Sequence, residues 1–187
     1  MTRALLLLPL LVCACGRDDA PAPAAASSVA TPASSAKVGY DLRRLRPRDG
    51  ETLAAMYDRM AAQARAEGKQ VAVLFSADWC EPCRKLELEL GNQHPADDIG
   101  HIRIFELKEE DWQAATRMDE FAALRKRWYE PTGSYPVFIV LDAHGGKLEE
   151  MKEAIDRLGA AGLDPTVAMW FRDLRPSGVS AAQGTPS

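Results

Sequence analysis

Cys80 and Cys83 are the two residues whose type and spacing predict chemistry most directly. They lie in the stretch Trp79-Cys-Glu-Pro-Cys83, directly after the apolar run Val71–Phe75. The apolar run predicts a buried strand, and Pro82 is compatible with the first turn of a following helix. The free N–H groups and positive dipole end of that turn stabilise a thiolate at Cys80. Cys83, one turn further on, can form a disulfide with it, so the pair predicts thiol–disulfide exchange.

The composition of the whole chain gives no support for nucleic-acid binding. The chain has 187 residues, with 23 Lys and Arg against 27 Asp and Glu, and a net charge of −4. The basic cluster from Arg43 to Arg48 is short, and we interpret it as a solvated segment leading into the folded part. The length fits one domain with tails.

The N-terminus predicts an export signal. Arg3 supplies a positive charge, and Ala4–Val12 forms a short apolar run that Pro9 interrupts. This run is too short to span a bilayer as a helix, so we interpret it as a signal segment and not as a membrane anchor.

The residues after the apolar run predict lipid attachment. The stretch Val12-Cys-Ala-Cys-Gly16 resembles the lipobox of bacterial lipoproteins. This resemblance implies cleavage before Cys15 and lipidation of Cys15. The alternatives are ordinary signal cleavage near Ala14 and modification of Cys13.

Two low-complexity stretches bound the folded part. Residues 16–39 are mostly Ala, Pro and Ser, and 176–187 are similar, so neither can bury enough apolar surface to fold. The expected organisation is a signal peptide with lipobox (1–15), a disordered linker (16–39), a folded domain (40–175) and a disordered tail (176–187). With Cys13 and Cys15 outside the folded domain, only the pair at 80 and 83 is left inside it. Export permits disulfides, but a bridge across so small a loop stabilises little.

Hydrophobic periodicity predicts helices and strands in alternation. The predicted helices are 51–67, the segment that follows Cys80 and ends at Gly91, 111–128, and one that begins near Asp164-Pro165. The predicted strands are 71–75, 102–107, 136–141 and 147–151, with a hairpin connection at 142–146. Residues 152–162 predict a short helical segment whose position relative to the sheet the sequence does not indicate. This order of elements predicts an α/β fold, with a central mixed sheet that helices cover on both faces.

Two motifs resemble those of the thioredoxin superfamily. Trp79-Cys-Glu-Pro-Cys83 after a buried strand resembles its active site, and Ser134-Tyr-Pro-Val137 before a further strand resembles its second signature, a cis-proline that faces the cysteines. The resemblance is to exported thioredoxin-like proteins, such as the C-terminal domain of the periplasmic disulfide reductase. It implies a thioredoxin-like fold, Cys80 and Cys83 as catalytic residues, and Pro136 in cis beside them.

The chain also departs from the thioredoxin pattern. Thioredoxins carry a buried acid six residues before the first active-site cysteine, and here that position is Leu74. Deprotonation of Cys83 must then use water or another group, for which Glu81 is a candidate. The Glu81 carboxylate should also oppose the Cys80 thiolate. Finally, the spacing from Cys83 to Pro136 is longer than in thioredoxin, which we interpret as an insertion at 91–100 near the site.

Metal binding and a purely binding role are the alternatives. Cys80, Cys83, His94 and His101 could supply Cys₂His₂ ligands, although the spacing is short for a zinc finger and no second Cys pair of this kind exists. Covalent haem is excluded because Arg84, and not histidine, follows Cys83. A non-catalytic module on the same fold would not need both cysteines.

The sequence therefore predicts an exported protein-disulfide oxidoreductase, more in the reducing than the oxidising direction. The expected substrate-binding residues are Trp79, Glu81, Pro82, Tyr135 and Pro136, around a Cys80–Cys83 disulfide. No cofactor or metal is expected. The expected partners are protein thiols and disulfides and a membrane electron donor. The expected location faces the periplasm, with the lipid as the only contact with a bacterial membrane, or free in the periplasm if Cys15 is not lipidated.

Overall fold

The computed structural model describes residues 36–131 and 133–175, and a five-stranded mixed sheet forms their centre. In chain order, the strands of this part are β1 (Lys37–Gly39), β2 (Asp41–Arg44), β3 (Gln70–Ser76), β4 (Gln93–Pro95), β5 (Ile102–Lys108), β6 (Val137–Leu141) and β7 (Lys147–Glu150). The central sheet has the order β2-β5-β3-β6-β7, and β1 pairs with β4 in a separate two-stranded sheet. Strands β2, β5 and β3 are parallel, whereas β6 and β7 join antiparallel.

Helices cover both faces of the central sheet. They are α1 (Leu53–Ala66), α2 (Glu81–Leu90), α3 (Ala96–Ile99), α4 (Glu109–Ala114), α5 (Met118–Arg125), α6 (Met151–Ala160) and α7 (Val167–Asp173). Apolar residues of α1, α4 and α5 pack on one face, and those of α2, α6 and α7 pack on the other. The predicted α/β architecture is confirmed. None of the helices within the described ranges is long and apolar enough to cross a membrane.

Strand β3 is central because every residue from Val71 to Ser76 is buried. Its side chains alternate between the two cores, with Val73 in the α1 layer and Leu74 in the α2 layer. A continuous apolar run was the expected signature of such a strand. Since β3 leads into the loop before Cys80, the burial of this strand fixes where the cysteines lie.

The helix predicted over 111–128 is wrong, because the chain forms α4 and α5 with a break between them. Thr116 has φ 56°, in the left-handed region, and the Arg117 amide donates to the Trp112 carbonyl. This is the geometry in which a glycine usually ends a helix, so the sequence offered no stop signal. The Arg117 guanidinium then donates to the Arg48 and Glu51 carbonyls, a tertiary contact that holds the break in place.

The expected linker boundary at residue 39 is also wrong. Strand β1 lies inside the stretch 16–39, pairs with β4, and packs Val38 against the α2-side core. The segment Arg43–Arg48 is likewise not simply solvated, because β2 extends the central sheet and Leu45 is fully buried. The signal segment 1–15, linker residues 16–35 and the tail 176–187 lie outside the described residues.

Two smaller expectations need correction. The last helix takes Thr166 as its N-cap, whose hydroxyl accepts from the Met169 amide, and not Asp164-Pro165. Residues 91–100 form β4 and α3 at the far end of α2, about 15 Å along the helix from Cys80 at 1.5 Å per residue. The extra length is therefore not near the cysteines. The unplaced piece at 152–162 belongs to α6.

Candidate active site

The two cysteines lie at the start of α2. Cys80 is the N-cap residue, and its sulfur accepts a hydrogen bond from the Cys83 amide at 3.2 Å. The two residues form a disulfide with their Cα atoms 5.2 Å apart, as the spacing predicted. A sulfur at this position meets the free N–H groups of the first turn, so the reduced Cys80 is placed to be stabilised as a thiolate.

The cysteines are buried beside an exposed aromatic ring. Cys80 and Cys83 are 4% and 1% exposed and form a small cluster with Ala77, whereas Trp79 is 64% exposed. The Trp79 ring is therefore an exposed apolar surface directly next to the buried Cys80 in the chain. Such an arrangement shields the disulfide from solvent while it leaves one apolar contact surface open.

Two acids at the start of α4, together with Lys108 at the end of β5, hold the loop before Cys80. The Asp78 amide donates to Glu110 at 2.8 Å, and the Trp79 indole N–H donates to Glu109 at 3.3 Å. Lys108 links this loop to α2, because its ammonium pairs with Asp78 at 2.8 Å and with Glu87 at 2.6 Å. The sequence suggested only a helix start for this acidic run. Its second role follows from the parallel pairing of β3 and β5, whose carboxyl ends meet at one edge.

The loop before β6 forms the opposite wall of the site. The Tyr135–Pro136 peptide bond is cis, which the resemblance to the thioredoxin superfamily implied. Tyr135 packs against the cluster that contains the two cysteines, and its ring meets the Trp79 ring edge-on with centroids 5.6 Å apart. Trp79, Tyr135 and the cysteines are thus brought together from two distant parts of the chain, and Pro136 follows directly in the same wall.

A buried arginine supports this wall. The Arg125 guanidinium lies between the rings of Tyr129 and Tyr135, at 5.2 and 5.0 Å from their centroids. It also donates to the Ser134 carbonyl at 2.7 Å. Arg125 is only 6% exposed, so these contacts replace much of its hydration. The sequence alone did not indicate a role for Arg125, because it is one of three consecutive basic residues near the end of a predicted helix.

A family comparison identifies this arrangement. The model of the family "thioredoxin-like domain" matches residues 57–157, more than half of the chain and a range that includes both cysteines and Pro136. The chain belongs to the thioredoxin-like domain family. A search of curated proteins gave no match.

Several solved structures resemble this thioredoxin-like domain. A disulphide isomerase from Xylella fastidiosa Temecula1 shares 20% sequence identity, with 71% of this chain and 98% of that chain covered and a TM-score of 0.47. A thioredoxin h from poplar shares 17%, with coverages of 65% and 96% and a TM-score of 0.42. Thioredoxin O1 from Arabidopsis thaliana in the oxidized state shares 12%, with coverages of 59% and 83% and a TM-score of 0.39.

Within the thioredoxin-like site, Glu81 and Pro82 occupy the first turn of α2. The Glu81 side chain is 68% exposed and pairs with Lys85 at 2.9 Å, one turn along the helix. Solvent and this pairing screen its charge, so the opposition to the Cys80 thiolate that the sequence suggested is weak. The same exposure makes Glu81 a poor base for the buried Cys83.

Burial changes the ionisation of two groups at the site. It raises the pKa of the Tyr135 hydroxyl to about 12, with the negative charge of Glu109 adding to the effect. Burial tends to lower the pKa of Lys108, but the hydrogen bonds to Asp78 and Glu87 outweigh it and raise that pKa. Tyr135 is therefore neutral and Lys108 charged at neutral pH.

The histidines of the alternative metal site lie elsewhere. His94 is in β4 and its ring meets that of Tyr40, and His101 precedes β5, so neither joins the cysteine cluster. Across 36–131 and 133–175, no group of three or more His, Cys, Asp or Glu residues is placed to hold a metal ion. The four residues of the Cys₂His₂ alternative are thus not brought together.

Proposed function

We propose that this protein is an exported thiol–disulfide oxidoreductase that reduces protein disulfides through Cys80 and Cys83. The observation that carries the proposal is the cysteine pair at the start of α2, bonded and almost buried beside the exposed Trp79. Membership in the thioredoxin-like domain family supports the same chemistry. A disulfide that closes so small a loop stabilises the fold little, so we assign it to thiol–disulfide exchange rather than to stability.

The exchange proceeds in two steps. The Cys80 thiolate attacks one sulfur of a substrate disulfide, a bond forms between the two sulfurs, and the second substrate sulfur leaves as a thiolate. The Cys83 thiolate then attacks Cys80 Sγ, and the bond from Cys80 to the substrate breaks, with its electron pair leaving on the substrate sulfur. Two electrons pass from the dithiol to the substrate, and the substrate thiolates take up protons.

The surrounding residues position an extended substrate segment. Trp79 and Tyr135 offer apolar ring surface on two sides of Cys80, and the loop before β6 offers backbone groups. Pro136 has no N–H and limits which backbone bonds this wall can make. Pro82 and Glu81 border the other side of the sulfur at the start of α2.

Insulin disulfide reduction tests the chemistry. The wild-type protein should accelerate reduction by dithiothreitol, and Cys80→Ser should abolish the acceleration because it removes the attacking sulfur. Ser134→Ala is a matched control, since Ser134 contributes its backbone carbonyl to Arg125 and the substitution keeps that carbonyl. Equal rates for the wild type and Cys80→Ser would refute the proposal.

The reducing direction requires an electron donor. An exported dithiol becomes oxidised after each turnover, so we propose a membrane dithiol protein that reduces the Cys80–Cys83 disulfide again. Alkylation of cells quenched in acid measures the redox state of the pair in vivo. A mostly reduced pair is expected of a reductase, and a mostly oxidised pair would instead indicate an oxidase.

A further inference from the structure

A buried carboxyl group lies on the sheet face that α2 covers, and the exchange steps above do not use it. Glu106 is only 5% exposed on β5, which lies between β2 and β3 in the central sheet. Its pairing partners are Leu74 on β3 and Arg44 on β2. The contact of its carboxylate with the Ser76 hydroxyl is long, at 3.4 Å. A buried carboxylate with so weak a hydrogen bond is costly, and such groups concentrate at functional sites.

The cations near Glu106 are engaged by other acids. Lys108, two residues further on the same strand face, pairs with Asp78 and Glu87, and Arg44 donates to Asp111 at 2.7 Å. Glu87 faces Glu106 from α2 and repels it. Burial is the largest effect and raises the pKa of the Glu106 carboxyl, while Lys108 and Arg44 oppose it only in part.

The position of Glu106 relates it to the cysteines. Its hydrogen-bond partner Ser76 is followed directly by Ala77, which packs with Cys80 and Cys83 in one buried cluster. Glu87, the acid on α2 that influences Glu106, lies one helical turn beyond Cys83. Glu106 therefore contacts, through Ser76, the end of β3 from which the loop leads to Cys80 and Cys83. Leu74 on β3 stands where thioredoxins carry their buried acid, and its pairing partner on β5 is Glu106. The acid at this place in the sheet therefore comes from the neighbouring strand.

We propose that Glu106 is the base that takes the proton of Cys83 when Cys83 resolves the mixed disulfide, an inference that rests on the proposed function. The S–H bond of Cys83 breaks, and the proton goes to the Glu106 carboxylate. The sulfur of Cys83 then bonds to Cys80 Sγ, and the electron pair of the bond from Cys80 to the substrate leaves on the substrate sulfur. The proton passes from Glu106 to the departing thiolate or to solvent. Buried Glu106 replaces the exposed Glu81 as the candidate base.

The effect of Glu106 on the stability of the fold distinguishes a catalytic base from a residue that serves only packing. Because its pKa is raised in the fold, the stability linked to it is present below the pKa of the unfolded chain and is lost as the pH rises through the folded value. Glu106→Gln should therefore unfold at a higher temperature than the wild type at neutral pH. A residue retained only for packing would give the opposite result on substitution.

The experiment measures resolution directly. The full-length protein is joined through Cys80 to a chromogenic aromatic thiol, and release of that thiol by Cys83 is followed against pH. Glu106→Gln should slow release at neutral pH by about tenfold or more and shift the pH profile, since a general base contributes at least that much. Glu106→Asp keeps the acid and should keep the pH dependence. Asp156→Asn removes one negative charge from an exposed position of α6 and should leave the profile within about twofold of the wild type.

Release rates for Glu106→Gln within about twofold of the wild type at every pH would overturn the proposal. So would an equal loss in Asp156→Asn, because that result assigns the effect to net charge. The assay needs no protein substrate, so it is read separately from insulin reduction. Inactivity of the wild type on insulin would count against the proposed function, whereas a Glu106→Gln defect would still show coupling between Glu106 and Cys83.

Discussion

At the scale of single residues, the walls of the site depend on charged groups that are buried in unusual positions. Arg125 is the clearest case, since its guanidinium lies between two tyrosine rings and also holds the backbone of the loop before Pro136. Lys108 has a similar role for the loop before Cys80. The geometry around the disulfide therefore depends also on these two cations, which hold the loops on either side of it.

Substitution of Arg125 tests this support. Arg125→Lys should lower the free energy of unfolding by about 1–3 kcal/mol, because an ammonium cannot stack on both rings and bond the Ser134 carbonyl in the same geometry. Chemical denaturation measures the change. Arg127→Lys is the matched control, since Arg127 also lies over a tyrosine, Tyr57, but is more exposed and pairs with Asp58. It should cost less than about 0.5 kcal/mol. Equal losses in the two variants would contradict the account.

Glu106, Lys108 and Arg125 could not be identified from the sequence, because their roles depend on strand register and on contacts between distant segments. The position of Glu106 relative to the cysteines becomes visible only from the pairing of β5 with β3. The cysteine pair could be predicted, since its chemistry depends on a local pattern: a buried strand, two cysteines three apart and a proline in the first helical turn. Trp79 and Tyr135 were predicted as neighbours through the family resemblance.

At the scale of elements, the break between α4 and α5 stores backbone strain at Thr116. A β-branched residue with φ 56° is unfavourable, and the chain accepts it because the contacts of Arg117 fix the turn. The helical periodicity of residues 111–128 runs through the break, which is why it predicted one helix. The strands were predicted more closely because most are short apolar runs, and α2 because Pro82 and Gly91 mark its two ends.

A pair of substitutions at left-handed positions tests the strain. Thr116→Gly should raise the free energy of unfolding by roughly 0.5–1 kcal/mol, because glycine adopts this conformation without a Cβ clash. Gly68→Ala, at the end of α1 with φ 72°, should lower it by about 1 kcal/mol for the same reason in reverse. Thermal or urea unfolding gives both values, and changes of the same sign would show that the conformation is not the cause.

At the scale of the whole molecule, stability should depend on His101. Burial, with Arg175 adding to it, lowers the pKa of His101 below its usual value. A base with a lowered pKa in the fold favours the native state above its unfolded pKa, and this contribution is lost as the pH falls toward the folded value. Unfolding free energy should therefore fall between about pH 7 and 5, by at most about 1.4 kcal/mol per pH unit from this group.

The variant His101→Gln isolates that contribution. It should show a smaller loss of stability on acidification than the wild type, measured by urea denaturation across the same pH range. His144→Gln is the control, because His144 lies exposed in the turn before β7. If His101→Gln and His144→Gln change the pH dependence equally, the burial of His101 is not responsible.

Location is also a property of the whole chain, and it depends on residues outside the described part. We propose that Cys15 carries the lipid and that the linker holds the folded domain away from the membrane. Cys15→Ala should then release the protein from the membrane fraction or stop its processing, because the substitution removes the sulfur that would carry the lipid. Cys13→Ala is the matched control and should leave the protein on the membrane. Equal incorporation of radiolabelled palmitate into Cys15→Ala and the wild type would refute this assignment.

The proposed mechanism requires that Cys80 attacks a protein disulfide and that Cys83 then releases the substrate. The most direct measurement is the capture of mixed disulfides in cells that express Cys83→Ser, analysed on non-reducing gels with and without reductant. Cys83→Ser should accumulate reductant-sensitive adducts with other proteins, and the double variant Cys80→Ser, Cys83→Ser should accumulate none. Adducts of equal abundance in the two variants, or none in Cys83→Ser, would rule out this exchange mechanism.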